Sequence, residues 1–309
     1  MRTMSHRRGL LGVLLAFQLA AVSGGAAEPI LRPAMSFGQA ASLGLIEGLT
    51  EFLPVSSTGH LFVAERLMRL STNADEQSVC DSFGIAIQLG AILAVVGLYF
   101  GRLRSMAMGV VGRDAAGLRM LLRLLAAFAP AAAIGLAFKK PIERHLFGPW
   151  PIAIAWAVGG LAILLAGRVR RGRAMPDGDL ENLRLRAAIL IGLAQALALW
   201  PGVSRSLVTI AGGLIAGLRP RAAVEFSFLL GLVTLGAATA YEIVRHGADI
   251  LRLFGWAAPL LGLAVAFISA WASMRWMVRY LQTRSFAIFG WYRLAAAAAT
   301  IALLLSGRL

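Results

Sequence analysis

The sequence predicts an all-α polytopic membrane protein with six transmembrane helices and two re-entrant helical hairpins in an inverted-topology repeat. Three observations support this fold class: an apolar composition, six long apolar segments, and two further apolar segments that proline interrupts. Of the 309 residues, 59% are hydrophobic and 15% are charged, and the mean hydropathy is +0.75. This composition excludes an intrinsically disordered chain and disfavours an ordinary soluble domain.

The six transmembrane helices are predicted from segment length. A helix needs roughly 20 mostly apolar residues to cross about 30 Å of hydrocarbon. The segments that meet this requirement, each bounded by charge or proline, are approximately 84–100, 120–138, 151–167, 223–243, 256–276 and 287–306. So many spans leave no room for a separate soluble domain, and residues 31–309 are therefore predicted to form a single integral membrane domain.

The charge distribution predicts the orientation of these spans. The net charge of +15 comes from 30 basic and 15 acidic residues. Arginines concentrate in the loops at 102–123 and 168–186, which the positive-inside rule places in the cytoplasm. There they face anionic lipid headgroups, so we expect membrane lipids and no nucleic acid as partners. The sequence leaves the oligomeric state open, a homodimer included.

Residues 1–30 have the character of a signal peptide. Arg2, Arg7 and Arg8 precede an apolar core at 9–22, and small residues before Glu28 suit cleavage. An uncleaved anchor helix is the alternative. We favour cleavage, because the apolar core is nearer the length of a signal peptide core than of a full span.

Two apolar segments, at about 38–68 and 187–218, contain Pro54 and Pro201 near their centres, each followed by hydroxyl residues. A helix, a turn at membrane depth and a returning helix fit this pattern, since irregular backbone is tolerated there when buried in protein or lining a cavity. We therefore interpret both segments as re-entrant hairpins. By the parity of the spans, the first enters from outside and the second from inside, so that their tips meet near the midplane.

The two hairpins also resemble each other in sequence. Aligning 44–58 with 192–206 gives five identities in fifteen, among them Gly44 with Gly192 and Ser56 with Ser204. One hairpin and three spans, repeated with opposite orientation, make an inverted repeat of about 36–167 and 187–306. Such repeats place polar sites at their interface.

Glu47 and Glu51 of the first hairpin lie four residues apart, on one helical face. In an apolar setting the two carboxylates repel each other and need a cation. A divalent metal ligated by both glutamates meets this need, with Mg²⁺ or Ca²⁺ preferred for oxygen ligands, and so does a nearby arginine. Cys80 is the only cysteine, which excludes thiolate metal clusters. The structural alternative is one snorkelling glutamate and one bonded to a hydroxyl.

Ser56, Ser57, Thr58 and His60 follow within six residues of Pro54. A turn of this kind leaves backbone N–H groups free to bind an anion, and Ser57 or His60 could act as nucleophile or general base. In the structural alternative, the hydroxyls bond to neighbouring carbonyls and the histidine only packs.

Arg205 lies at the tip of the second hairpin, among Ser204, Ser206 and Thr209. A charge at membrane depth needs a counter-charge, and the planar guanidinium suits bidentate binding of phosphate. We predict that Arg205 is the principal functional residue. The alternative is a salt bridge to Glu47 or Glu51 that pins the hairpins together.

Four motifs together resemble the undecaprenyl-diphosphate phosphatase family, also called the bacitracin-resistance family. They lie at 44–60, 88–93, 201–209 and 221–228, and the resemblance extends over about 36–306. It implies a multi-pass enzyme of the bacterial inner membrane that hydrolyses undecaprenyl diphosphate to undecaprenyl phosphate and inorganic phosphate, with Mg²⁺ or Ca²⁺. The lipid carrier then returns to peptidoglycan synthesis.

The family resemblance also implies site residues. The essential positions match Glu47, Glu51, Ser57, His60 and Arg205, and we expect the hydroxyls of Ser56, Thr58, Ser204, Ser206 and Thr209 to help bind the substrate. Two positions depart from the family pattern: Gly84, where an acidic residue is common, and Leu207, where glycine is usual.

The predicted mechanism places the diphosphate in a cavity between the hairpin tips that opens to the periplasmic side, with the isoprenoid chain in lipid. We favour Ser57 as nucleophile with His60 as its base over a water molecule activated by His60. The alternative function is a polyprenyl-phosphate flippase or transporter that uses the same cavity, since inverted repeats with broken helices are a transporter design.

Overall fold

The computed structural model describes residues 35–70, 74–169 and 176–309, and the predicted signal-like segment at 1–30 lies outside these ranges. Within them the chain is helical, and the β pairing found there is one isolated bridge between Gly178 and Leu218. The all-α prediction is therefore confirmed. The α-helices of the described ranges are α1 (Phe37–Thr50), α2 (Ser57–Leu67), α3 (Ala74–Leu98), α4 (Phe100–Val110), α5 (Ala115–Leu146), α6 (Pro149–Val169), α7 (Leu185–Gln195), α8 (Arg205–Ile215), α9 (Pro220–Phe254), α10 (Ala257–Thr283) and α11 (Ala287–Leu305).

Side-chain caps and proline define several helix starts. Ser36 caps α1 in a capping box with Gln39, which satisfies two backbone N–H groups. Asp114 caps α5; it accepts hydrogen bonds from the Ser105 hydroxyl and from backbone amides of the first turn, which hold the pKa of this carboxyl below its usual value. Pro149 and Pro220 open α6 and α9, where a missing N–H costs nothing.

Six helices of the described ranges are long and apolar enough to cross a membrane, as predicted, and the chain is a multi-pass membrane protein. They are Cys80–Leu98, Ala115–Ile142, Pro149–Arg168, Pro220–Val244, Ala257–Thr283 and Ala287–Leu305. The second of them begins earlier than predicted, because its first turns carry arginines that lowered the hydropathy of that stretch without breaking the helix.

Two pairs of short helices, α1 with α2 and α7 with α8, lie where the hairpins were predicted. The longest of these helices, α1, has 14 residues, or about 21 Å at 1.5 Å per residue, which is too short to cross the hydrocarbon. These lengths agree with the prediction of re-entrant hairpins. We call the connections the first turn (residues 51–56) and the second turn (residues 196–204).

Each helix pair packs against a span from the other half of the chain. α1 lies along α10, where a Cβ on Gly44 would come within 3.0 Å of the Gly262 carbonyl carbon. α7 lies along α5, where a Cβ on Gly192 would come within 2.8 Å of the Ala127 Cα. The matched glycines thus serve the same close approach in both halves, which supports the predicted inverted repeat.

The two turns also share a backbone feature. Ser56 and Ser204, which the repeat alignment pairs, have φ angles of 72° and 76°. A positive φ is uncommon outside glycine and is frequent at functional sites. In both turns the next residue begins a helix, so the same left-handed residue redirects the chain into α2 and into α8.

Apolar packing holds the first turn against the second half of the chain. Phe52 is fully buried and meets Phe228 of α9 edge to face at 5.3 Å between ring centroids. Val55 joins the same buried cluster, together with Ile210 of α8 and Val224 of α9. This cluster positions the first turn next to the start of α8, where the predicted site residues meet.

Candidate active site

The predicted functional residues gather where the two turns meet. Arg205 Nη2 lies 2.8 Å from Glu51 Oε1, and the Ser206 hydroxyl donates to the Leu53 carbonyl at 2.8 Å. Both contacts join the first turn to the first residues of α8. The tips of the two predicted hairpins are therefore in direct contact through polar groups.

Glu51 is buried, and protein donors engage both of its carboxylate oxygens. The Ser57 hydroxyl donates to Oε2, and the Arg205 guanidinium donates to Oε1. A hydroxyl whose proton already points at a carboxylate is a candidate nucleophile with its base in place. The guanidinium on the other oxygen makes Glu51 the counter-ion of Arg205 as well.

Arg205 is held from several sides. Its side chain is 10% exposed, its Nη1 donates to the Ser227 carbonyl at 2.9 Å, and its Cζ lies 5.2 Å from the Phe52 ring centroid. Gly231 of α9 gives the guanidinium room, because a Cβ there would lie 2.6 Å from Nη2. The Nε atom is buried without a hydrogen-bond partner. Arg205 therefore forms the ion pair considered from the sequence and keeps one donor uncommitted.

Glu47 lies one helical turn before Glu51. It is 2% exposed, and its Oε1 is buried without a hydrogen-bond partner. A buried carboxylate oxygen without a donor is costly, and a cation would satisfy it. The buried Oε1 of Glu47 therefore suits the role of a ligand to a divalent ion. No three metal-binding side chains of the described residues cluster closely enough to hold a metal by themselves, so remaining ligands would come from substrate or water.

His60 is engaged at both ring nitrogens. Nδ1 lies 2.7 Å from the Ser56 carbonyl, which can only accept, so we assign the proton to Nδ1. Nε2 lies 2.8 Å from the Tyr292 hydroxyl and, in the neutral ring, accepts from it. The structure does not place His60 in hydrogen-bond contact with Ser57, the pairing expected from the sequence. The acceptor for the Ser57 proton is Glu51.

The predicted substrate-binding hydroxyls fall into two groups. Thr58 is exposed and lines a cavity together with Ser57. Ser206 and Thr209 are fully buried; Thr209 bonds to the Ser227 hydroxyl at 2.7 Å, so both residues connect packed segments. The Ser204 hydroxyl accepts from the Leu207 amide and caps α8, and Ser56 contributes its carbonyl to His60.

The cavity beside the first turn has a volume of about 550 Å³. Its polar wall includes Glu47, Ser57 and Thr58, and its apolar wall includes Phe62 and Phe147. A volume of this size is typical of small-molecule sites that combine apolar walls with a few polar groups. Asp81 and Gly84, at the departure from the family pattern, line the same cavity.

Sequence reasoning missed two residues that contact the site, Tyr292 and Arg293 of α11. Tyr292 binds His60, and Arg293 donates to the carbonyls of Pro54 at 3.3 Å and Gly202 at 2.8 Å. Arg293 lies inside an apolar span, and a charge at that depth is itself a signal of function. Because alanines and leucines surround Arg293, the segment was predicted only as a transmembrane helix.

Comparison with known proteins identifies the family of this chain. The model of the family described as "Bacitracin resistance protein BacA" matches residues 40–299. An undecaprenyl-diphosphatase of Sorangium cellulosum is 45% identical over 268 residues, which cover 85% of both chains. Undecaprenyl-diphosphatase 2 of Rhodospirillum rubrum is 45% identical over 87% of this chain and 95% of its own. The undecaprenyl-diphosphatase of Nitrosospira multiformis is 44% identical over 82% and 89%. The chain belongs to the BacA bacitracin resistance protein family.

Proposed function

We propose that this protein hydrolyses undecaprenyl diphosphate to undecaprenyl phosphate and inorganic phosphate. The observation that carries the proposal is the hydrogen-bonded set of Ser57, Glu51 and Arg205, which combines a nucleophile, its proton acceptor and a cation for phosphate. The names of the relatives support the same reaction. Its product returns to peptidoglycan synthesis as the lipid carrier, and its activity gives bacitracin resistance.

Ser57 performs the attack in the proposed mechanism. Its Oγ forms a bond to the terminal phosphorus while its proton passes to Glu51 Oε2, the atom to which it already donates. The bond between that phosphorus and the bridging oxygen breaks, and undecaprenyl phosphate leaves. Water then attacks the phosphorus of the phosphoserine, the phosphorus–Oγ bond breaks as Glu51 returns its proton to Oγ, and inorganic phosphate leaves with the oxygen and protons of the water, which restores Ser57 and Glu51.

Arg205 binds the phosphate in this scheme. Protonation of Glu51 removes the charge that holds Arg205 Nη2 at 2.8 Å, so the guanidinium can turn to the transferred phosphoryl group. Its planar fork suits two phosphate oxygens, and its Nε is already without a partner. The ion pair considered as a purely structural alternative thus becomes part of the catalytic cycle.

Glu47 would hold the divalent cation, Mg²⁺ or Ca²⁺, with Glu51 as the second predicted ligand. When bound, such an ion supplies positive charge that neutralises the diphosphate. Glu47 suits this role better than Glu51, because only Glu47 keeps a buried oxygen without a protein donor. Before the attack, both oxygens of Glu51 are engaged, by Ser57 and by Arg205.

We place the protein in the bacterial inner membrane with its active site toward the periplasm. The arginine-rich loops at 102–123 and 168–186 support this orientation through the positive-inside rule. The partners in this proposal are the polyprenyl diphosphate substrate, whose chain remains in lipid, and the surrounding membrane lipids. No feature of the site favours the flippase alternative, because translocation needs neither a nucleophile nor its proton acceptor.

The test is release of inorganic phosphate from a long-chain polyprenyl diphosphate by the protein in detergent, with Mg²⁺ or a chelator. We expect wild type and Glu181→Ala to release phosphate and Glu51→Ala to lose release by more than about 100-fold. Glu181 is a matched control, because it is an exposed carboxylate paired with Arg102 outside the two turns. A folded, monodisperse wild-type protein that releases no phosphate would contradict the proposal.

A further inference from the structure

Arg293 of α11 joins three segments of the chain through their backbone carbonyls. It is fully buried, and its Nη2 donates to Gly202 at 2.8 Å and to Ala155 of α6 at 2.9 Å. Its Nη1 donates to Pro54 at 3.3 Å. Pro54 belongs to the first turn and Gly202 to the second, so one guanidinium holds both turns against α6.

The charge of Arg293 has no carboxylate partner among the described residues. A buried guanidinium without an ion pair is costly, and the three carbonyl oxygens offset only part of that cost. The Nε atom is buried without any hydrogen-bond partner. The protein thus keeps a positive charge that is only partly offset in contact with both turns.

The contacts of Arg293 lie close in sequence to the proposed catalytic groups. Pro54 is three residues after Glu51 and three before Ser57, and Gly202 is three residues before Arg205. A change in the separation of these two carbonyls would therefore move Ser57 and Glu51 relative to Arg205. Gly202 has a φ of +97°, so its backbone orientation is one that few other residues could adopt.

We propose that Arg293 is a positioning residue that sets the spacing of the two turns, and that its buried charge adds to the positive field at the diphosphate. The inference rests on the proposed function and adds a residue to it. A guanidinium suits this task because its rigid fork donates in several fixed directions. Lysine would keep the charge but could not reach the three carbonyls in the same geometry.

Gly159 of α6 provides a second way to disturb this contact without changing charge. A Cβ on Gly159 would lie 2.7 Å from Arg293 Cζ, so alanine there must displace the guanidinium. Gly167 lies in the same helix and has no atom within 4 Å of its would-be Cβ. Gly167→Ala is therefore a matched control for the helical change itself.

The experiment measures kcat and KM for phosphate release by wild type, Arg293→Met, Arg293→Lys, Gly159→Ala and Gly167→Ala, each normalised to folded, monodisperse protein. We expect kcat to fall by about 100-fold in Arg293→Met and at least about 10-fold in Gly159→Ala, since small displacements of catalytic groups cost that much. KM should change less than kcat in both. Arg293→Lys should recover part of the rate, and Gly167→Ala should match wild type.

The outcomes separate this inference from the proposed function. Absence of release by wild type defeats the proposed function and this inference with it. An active wild type with unchanged kcat per folded molecule in Gly159→Ala, and in Arg293→Met if it folds, overturns the inference alone. A full wild-type rate in Arg293→Lys shows that charge suffices and overturns the positioning role. If Arg293→Met does not fold, Gly159→Ala decides.

Discussion

Arg205 Nη2 lies 2.8 Å from Glu51 Oε1, and this ion pair joins the two turns at the carboxylate to which Ser57 also donates. In the proposed mechanism, this one carboxylate is the proton acceptor for Ser57 and the counter-ion of Arg205. In that mechanism the two roles follow one another, because a protonated Glu51 would no longer pair with the guanidinium. The proposed mechanism therefore couples proton transfer to phosphate binding through Glu51.

Ser57 should carry the phosphoryl group transiently. Acid quenching during turnover of substrate labelled at the terminal phosphate should trap phosphoserine at Ser57, identified by peptide mass spectrometry. Ser57→Ala should lose the label and more than about 100-fold of the rate. Ser306→Ala, which removes an exposed hydroxyl after α11, is the control. Absence of phosphoserine in an active, rapidly quenched sample would instead support direct attack by water.

Glu51, rather than His60, should act as the base. Glu51→Gln should reduce kcat by about 100-fold or more, because the amide cannot take the Ser57 proton. His60→Asn keeps an N–H donor for the Ser56 carbonyl, so its kcat should fall clearly less than that of Glu51→Gln. Parallel measurements of kcat for the two variants decide the order. A larger loss in His60→Asn would return the base role to His60.

Arg205→Lys should lose most of the rate while folding normally. Lysine keeps the charge that pairs with Glu51 but lacks the fork that binds two phosphate oxygens. Phosphate release and thermal unfolding, measured on the same preparation, check both parts. Wild-type rates in this variant would remove Arg205 from the phosphate-binding role and leave only its ion pair.

Gly231→Ala should impair the reaction through Arg205 alone. The added Cβ would lie 2.6 Å from Arg205 Nη2 and must push the guanidinium away from Glu51. We expect kcat to fall by about 10-fold or more. Gly236→Ala in the same helix meets no atom within 4 Å and should behave as wild type. Equal rates in the two variants would show that the position of Arg205 does not limit the reaction.

Glu47→Gln should weaken the dependence on the divalent ion. A chelator should abolish wild-type release, and added Mg²⁺ or Ca²⁺ should restore it. In Glu47→Gln the half-saturating concentration of the ion should rise by about 10-fold or more, because an amide is a weaker ligand than a carboxylate. A titration of rate against free Mg²⁺ provides the measurement. An unchanged titration would place the ion elsewhere.

Much of the fold was predictable because hydropathy is a local property. The six spans appear in the sequence as apolar runs of sufficient length, and the structure changes only their ends. The two turns were predictable from Pro54 and Pro201 with their hydroxyl residues. Glu47, Glu51 and Arg205 were singled out because a charge at membrane depth requires a partner.

Which residues these charged side chains contact was decided by the tertiary structure. Arg205 and Glu51 are 154 positions apart, and Arg293 and Pro54 are 239 apart. Local patterns carry no information about which of two neighbouring carboxylates a distant arginine meets. His60, only three residues from Ser57, was the nearest candidate base along the chain, yet its ring turns to Ser56 and Tyr292.

By itself, the sequence determined where the chain crosses the membrane, where its polar turns lie, and which residues carry charge at that depth. These properties follow from the free energy of transferring side chains into hydrocarbon, which depends mainly on the residues of each segment itself. Only the tertiary structure decided that Ser57 donates to Glu51, that Glu51 pairs with Arg205, and that Arg293 holds both turns. These contacts depend on how helices of opposite halves pack, and their geometry is set by distances across that interface.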